Sequence, residues 1–225
     1  MQKKIEILGI SLEQCYVDDI MEYINENWLK DVLSTYGVIT MKLLMEAQED
    51  DRLKEYIEML DKTIVDEAEV LRVTEVQDEK LEEEASKSVF FPALFWFLSE
   101  YKNRVFLLGE TEEEAEAFAT YLAERYPDIT ILGREALLEG QDDHVDQIIN
   151  EINSVSPHAV LACSGNLNME RFVLANRKKI NTKALFCLGD LNEITQETGL
   201  KKGWFGKLME RNTFKKLVSQ YNEEN

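Results

Sequence analysis

Cysteine is scarce in this chain, and the three present, Cys15, Cys163 and Cys187, are odd in number and lack metal-ligand spacing. A disulfide framework is therefore excluded, and a reduced cytoplasmic setting is expected. Long apolar runs are missing too: the longest, Val89 to Leu98, is too short to cross a bilayer, and no signal-peptide pattern precedes Ile5. Positive charge is in deficit, with 25 Lys and Arg against 44 Asp and Glu and a formal net charge of −19. That sign excludes nonspecific binding to nucleic acid phosphates, so no nucleic-acid partner is expected and any anionic ligand needs a local exception. Neither His144 nor His158 has an acidic or cysteine partner at catalytic spacing. The pairs Asp18-Asp19, Asp50-Asp51 and Asp142-Asp143 read as solvated charge, so the expectation is no metal site and no cofactor.

What is present is ample apolar content, 44% of 225 residues, enough for one large α/β core with a small appendage. The organising stretch runs from Arg104 to Gly133. Val105 to Leu108 is an apolar run ending at Gly109, and Thr111 with Glu114 three residues later forms a capping-box pattern. Ala115, Phe118, Ala119, Leu122, Ala123 and Tyr126 then recur at helical spacing, Pro127-Asp128 ends the helix, and Ile129 to Leu132 gives a strand closed by Gly133. A helix between two strands implies a right-handed parallel crossover.

The remaining elements extend that pattern. Lys4 to Ile10 reads as a first strand, with a second capping box at Ser11 to Gln14 before the helix of Tyr16, Ile20, Tyr23, Ile24 and Trp28. Tyr36 to Met41 is the next strand, Lys42 to Leu60 a helix pair broken near Asp50-Asp51, and Thr63 to Val65 a short strand ending at Asp66. From Glu46 to Glu84 sixteen acidic side chains face five basic ones, and Thr74 to Ser88, with almost no apolar periodicity, reads as an acidic loop. Phe90 to Phe97 holds five aromatics and reads either as a buried helix or as a patch for self-association, a partner or a membrane surface. A helix at Val145 to Ile152, strands at Ala159 to Cys163 and Ala184 to Leu188, and a helix at Met169 to Ile180 complete an alternation that predicts a Rossmann-like, doubly wound parallel sheet. Cys163 and Cys187 are expected to face each other at adjacent strand ends.

Ligands of such sheets bind outside the carboxyl ends of the strands, which singles out Thr40, Asp66, Gly109, Gly165 and Gly189. Those positions carry a resemblance. Ile39-Thr40, the run Asp50-Asp51-Arg52-Leu53-Lys54 with its helix, Ile64-Val65-Asp66, Arg104 to Gly109, Glu124-Arg125-Tyr126-Pro127 and Gly165 to Lys179 resemble, in order and spacing, the WecG/TagA/CpsF family of bacterial glycosyltransferases. The resemblance implies a domain over residues 1–195 with an appendage over 196–225. It implies transfer of a hexosamine-type sugar from a UDP donor to a lipid-linked acceptor in cell-surface polysaccharide synthesis, at the inner face of the plasma membrane. It makes Asp66 the general base and gives donor contacts to Thr40, Lys42, Gly109, Gly165, Glu170 and Gly189.

Several positions depart from the family pattern. In Thr-x-Asn-Pro the asparagine is Lys42 and the proline Leu43, and the glycines of Pro-Asp-Gly-x-Gly are Glu67 and Glu69. The Arg-Val-x-Gly arginine is absent near Ser88-Val89-Phe90-Phe91. Gly-x-Pro-Lys-Gln-Glu has become Gly165 to Glu170 without its lysine and glutamine, and a glycine after the strand at Leu107-Leu108 is Glu110. Carboxylates at these places repel a pyrophosphate, so a non-catalytic relative acting as a binding or regulatory subunit stands beside the enzyme reading. Asp66 is either a general base or a helix cap, and Glu170 either binds a sugar hydroxyl or favours the macrodipole of its helix. Near the end, Lys201, Lys202, Lys207, Arg211, Lys215 and Lys216 interleave with Trp204 and other apolar residues. The segment reads either as an amphipathic contact to an anionic membrane or acceptor, or as a terminal helix packed on the domain.

Overall fold

The computed structural model describes residues 3–30, 32–74, 78–137, 142–191, 194 and 204–224. Six strands form one parallel sheet: β3 (Ser34–Ile39), β4 (Lys62–Val65), β5 (Arg104–Gly109), β6 (Thr130–Ala136), β7 (Ala159–Ala162) and β8 (Ala184–Cys187). They are ordered β4-β3-β8-β7-β5-β6, and every neighbouring pair is parallel. The chain leaves β5 outward to β6 and returns inward through β7 and β8, so the order reverses between β5 and β7. This is the Rossmann-like architecture that the alternation predicts.

The sheet's two faces bury separate apolar clusters because successive strand residues alternate sides. On one face Tyr36, Val105, Leu107, Leu161 and Phe186 pack under α1 (Val17–Trp28), α6 (Phe90–Glu100) and α7 (Glu112–Arg125). On the other, Ile39, Phe106, Leu108, Val160 and Leu185 pack under α2 (Met41–Glu46), α3 (Asp51–Met59), α4 (Ala68–Arg72), α5 (Glu79–Ser86), α8 (Asp142–Val155) and α9 (Asn168–Asn176). The same alternation corrects the cysteine expectation. Cys163 lies in the first cluster and Cys187 in the second, so the two thiols sit on opposite faces of the sheet.

Four local expectations change or sharpen. Lys4 to Ile10 is no sheet strand: β1 (Lys3–Ile7) and β2 (Ile10–Gln14) form a separate antiparallel hairpin, with Ile7 paired to Ile10. Leu8 and Gly9 both have positive φ, 52° and 72°, which is what a two-residue hairpin turn of the right twist requires. Ser11 is therefore a strand residue, and the helix begins only at Val17. The acidic stretch is not a loop over its described part. α5 is capped by Asp78, which accepts from Leu81 N–H, and it buries Leu81 and Ala85. Its carboxylates do tertiary work: Asp78 accepts from Tyr16 Oη at 2.9 Å, and Glu84 accepts from Val17 N–H at 2.9 Å at the start of α1.

The Phe90 to Phe97 run is a core helix. Phe90, Phe91, Phe95 and Phe97 are buried, Phe95 packs against Phe118, Tyr121 and Tyr126, and Trp96 alone of the aromatics is 61% exposed. Pro92 sits in the first turn, where the missing N–H has no intrahelical partner to lose. The run therefore lends self-association little support. At the other end of the chain, the C-terminal helix (Trp204–Glu224) buries Phe214 and Val218 in the second cluster and sets Tyr221 against the hairpin turn at Gly9. That is the packed-helix alternative for this segment, and the expected boundary at residue 195 falls outside the described residues. Among the described residues no helix is long and apolar enough to cross a membrane.

Candidate functional site

Parallel strands deliver their carboxyl ends to one edge, and here that edge gathers the loops after β3, β4, β5, β7 and β8. Gly189 has φ 76°, and a Cβ there would lie 4.0 Å from Thr40 Cγ2, so the β3 and β8 loops touch. Ser164 N–H donates to Gly189 O at 2.9 Å, and Gly165 lies against the Asp190 carboxylate. Lys42 Nζ donates to Gly165 O at 2.6 Å. Thr40, Lys42, Gly165 and Gly189 are thus brought together. Asp66 follows β4 one strand further out and is half-buried. Gly109 has a different role: a Cβ there would come within 2.8 Å of Ala115 N and 3.0 Å of Thr111 O. Its bareness seats the first turn of α7 rather than opening room for a ligand.

Among the described residues, several backbone donors that such an edge offers to an anion are already satisfied by side chains of the chain itself. Thr40 Oγ1 caps α2 by accepting from Leu43 N–H at 3.1 Å, and Glu67 Oε2 accepts from Met41 N–H at 2.7 Å. Glu110 Oε2 accepts from Gly165 N–H at 3.2 Å while its other oxygen takes the Asn166 amide. Glu114 returns to the Thr111 backbone as the capping box expects, and it also accepts from Glu110 N–H at 3.0 Å. Burial, with the charges of Glu110 and Asp190 adding, holds the Glu114 carboxyl above its ordinary range. The result is a net of carboxylates laid over the strand ends, with Lys42 spent on a carbonyl.

The entry to α9 also departs from the motif it resembles. Leu167, where the family pattern has proline, has φ 64°, a conformation closed to proline. Asn166 turns the loop instead: its Oδ1 accepts from Ser164 Oγ and from Asn168 N–H, at 2.8 and 2.9 Å. One turn on, Glu170 is buried, with 3% exposure, and its Oε2 has no hydrogen-bond partner. Burial pushes its carboxyl up to about 7, against the pull of Arg171 and Lys42 and with the charge of Glu110 adding. Arg171 itself is committed to Asp50 at 3.0 Å, with Glu46 beyond.

The basic C-terminal residues are only partly placed. Arg211 pairs with Glu69 at 3.2 Å, on the helix just after Asp66 and Glu67, while Lys215 and Lys216 are exposed to solvent. Lys201 and Lys202 lie outside the described residues, as do the side chains of Trp204 and Lys207. Sequence reasoning named residues that the fold gathers at this edge, but it did not find the Ser164–Asn166 turn, the contact of Glu114 with Glu110 N–H, or the neighbours of Glu170. Among these, Tyr56 from α3 and Cys187 from β8 both feel its charge. The Thr-x-x-Glu spacing at Thr111 hinted at Glu114; the Ser164–Asn166 turn is local but has no apolar pattern to mark it, and the neighbours of Glu170 come from residues far apart in the chain.

No curated protein matches this chain at a significant level. The family profile for WecG/TagA/CpsF glycosyl transferases, however, matches residues 5–198, from the hairpin past the last sheet strand, and so takes in every loop of the carboxyl edge. With the parallel sheet, the reversal beside β5 and the strand-end position of Asp66, that match establishes the chain as a member of the WecG/TagA/CpsF glycosyl transferase family.

Proposed function

We propose that this chain is a member of a cell-surface polysaccharide glycosyltransferase family whose crevice no longer cradles the pyrophosphate of a UDP-sugar, and that it serves as a binding or regulatory subunit. The observation that carries this reading is the pair of carboxylates on backbone amides: Glu67 on Met41 N–H and Glu110 on Gly165 N–H. A diphosphate bound there would have to displace both. At an effective dielectric of about 20, two like unit charges at roughly 5 Å repel by about 3 kcal/mol, enough to erase micromolar affinity when repeated. The described cations nearest the edge, Lys42 and Arg171, already have acceptors.

Calorimetric titration of the full chain with a UDP-hexosamine tests the reading. No binding at micromolar concentration is expected for the natural sequence, and a gain of at least tenfold for Glu67→Gly with Glu110→Gly. Micromolar affinity in the natural sequence would overturn it and favour the second reading, an active transferase. Asp66 at the end of β4 supports that second reading, as the base that deprotonates an acceptor hydroxyl while Thr40, Lys42 and Glu170 hold the donor. In that case Asp66→Asn abolishes transfer to a lipid-linked acceptor and leaves donor affinity nearly unchanged. Either reading is compatible with contact to an anionic membrane surface through the exposed Lys215 and Lys216, and with a homomeric or heteromeric partner. Vesicle flotation and light scattering report on these two points.

A further inference from the structure

The amino edge of the sheet, at the other end of the strands from the crevice, holds a cationic corner in an acidic chain. Arg104, His158 and Lys183 stand in one row across β5, β7 and β8. His158 N–H donates to Arg104 O at 2.8 Å and Lys183 N–H to His158 O at 3.2 Å, and the residues that follow them, Val105, Ala159 and Ala184, are paired in register. Their side chains are linked through the end of α1. Lys183 Nζ donates to Trp28 O at 3.2 Å, the Trp28 indole donates to Asn103 Oδ1 at 3.2 Å, and the same oxygen lies 2.9 Å from His158 Nδ1. An indole N–H can only donate, so the Asn103 atom between the two rings is its carbonyl oxygen and His158 Nδ1 carries the ring proton. His158 Nε2 then accepts from Arg104 Nε and Nη2 at 3.4 and 3.3 Å, both long for a hydrogen bond.

This corner has more donors than acceptors. Asn103 is 2% exposed, and its Nδ2 is buried without a partner. Arg104 is exposed, and its Nη1 is uncommitted among the described residues, while Lys183 uses one ammonium proton to cap the last turn of α1 and keeps the others. Burial and the charges of Arg104 and Lys183 hold the His158 ring below its ordinary pKa, and no carboxylate among the described residues offsets them. At a net charge of −19, this is the local exception that an anion requires. A guanidinium fork beside an ammonium supplies donors from two side chains, which suits a tetrahedral oxyanion. Exposed Leu29 follows Trp28 at this corner, and exposed Tyr101 packs on Phe97, which packs on Trp28, so the phosphate of a lipid headgroup meets the same donors as a free one.

We propose that this amino-edge corner binds a phosphate group, free or on a lipid headgroup, with Arg104 and Lys183 donating to its oxygens. Arg104 turns from the His158 ring to the anion, so the ring reports the event. The site lies at the opposite edge from the crevice and does not depend on how the crevice is read.

The test follows the imidazole signals of the full chain by NMR while inorganic phosphate is added, with sodium chloride of equal ionic strength as control. The chain has 2 histidines, and a saturable shift is expected at His158, with none at His144 and none in chloride. Arg104→Gln and Lys183→Gln are each expected to weaken phosphate binding by about tenfold, the worth of one charge-assisted hydrogen bond, and thermal melts show that both variants fold. If Lys183→Gln melts far below the natural chain because α1 loses its cap, Arg104→Gln, altered at an exposed side chain, decides alone. Co-sedimentation with phosphatidic acid vesicles, against phosphatidylcholine vesicles, separates the two sources. Arg104-dependent binding to phosphatidic acid that free phosphate competes away assigns the site to a headgroup, and a phosphate response without vesicle binding assigns it to a soluble phosphate. The proposal is overturned if neither probe binds in an Arg104-dependent way, if both histidines shift alike, or if chloride reproduces the phosphate response.

Discussion

The two ends of the parallel sheet satisfy their polar groups in opposite ways. At the amino end, side-chain cations reach toward carbonyls and neutral acceptors: Arg177 donates to Met59 O and Thr35 Oγ1, Lys183 to Trp28 O, and Arg104 to His158 Nε2. Lys62 pairs with Glu13, and Asp61 takes both the N–H and the hydroxyl of Thr35. At the carboxyl end, carboxylates sit on backbone N–H groups of Met41, Gly165 and Glu110. The amino end of such a sheet ordinarily carries fold stability and the carboxyl end carries ligands. Here the ligand end has acquired the internal satisfaction typical of the other. What remains distinctive about it is one misfit, the Oε2 atom of Glu170, buried without a hydrogen-bond partner.

That misfit gives the largest expected effect. A carboxyl whose folded pKa is raised binds its proton more firmly when folded, so its stabilising contribution is full below the unfolded value near 4.5 and is lost as pH rises through about 7. The span corresponds to about 3 kcal/mol. Glu170→Gln, permanently neutral, should therefore stabilise the chain by up to about 3 kcal/mol at pH 8 and hardly at all at pH 4. Urea unfolding at the two pH values measures it. A variant less stable at pH 8 would mean that the carboxylate is charged and well partnered, and the contrast between the two ends would disappear.

The amino end should respond with the opposite sign. Burial disfavours the ammonium of Lys62, which is 7% exposed, but its hydrogen bond to Glu13 and the neighbouring Cys15 and Tyr23 hold its pKa above the ordinary lysine value. Glu13→Gln keeps the shape and removes the charge partner, and a loss of about 2 kcal/mol is expected from weakening a charge-assisted hydrogen bond to a buried group. Thermal unfolding checks it. No change would place this ion pair among those of exposed surfaces, which contribute little.

How much of this was legible depended on whether the cause was local. The cap at Thr111, the broken helix pair at Asp50, the six sheet strands and the edge that gathers Thr40, Gly165 and Gly189 all follow from spacing within a few residues. The hairpin was misread because Ser11 and Gln14 mimic a capping box, while the deciding feature is the backbone turn at Leu8 and Gly9. The sequence of α5 reads as a loop because Leu81 and Ala85 are its only buried apolar anchors. Its further support comes from Tyr16 and Val17, more than sixty residues away. The site divides the same way. Glu67 and Glu110 were visible as charges in place of glycines, but that each lands on a specific amide, one of them 55 residues distant, is decided by how the loops meet.

The smallest effect bears most directly on why the carboxyl end is closed. Glu67 offers Met41 N–H both an acceptor and a negative charge at the start of α2. Glu67→Gln retains the acceptor and loses the charge, so it should cost only about 0.5 kcal/mol, and that cost should shrink at high salt. Glu67→Ala removes both and should cost about 1 kcal/mol with little salt dependence in the added part, because a neutral hydrogen bond is not screened. If the two variants cost the same, charge rather than hydrogen bonding holds the loop, and Glu67 acts chiefly as an anion occupying an anion's place. If alanine costs more, the carboxylate serves first as a structural cap, and phosphate binding should return with Glu67→Gly only when Glu110 is replaced as well. Chemical denaturation of the two variants at low and high salt, run beside the UDP-hexosamine titration, separates these outcomes.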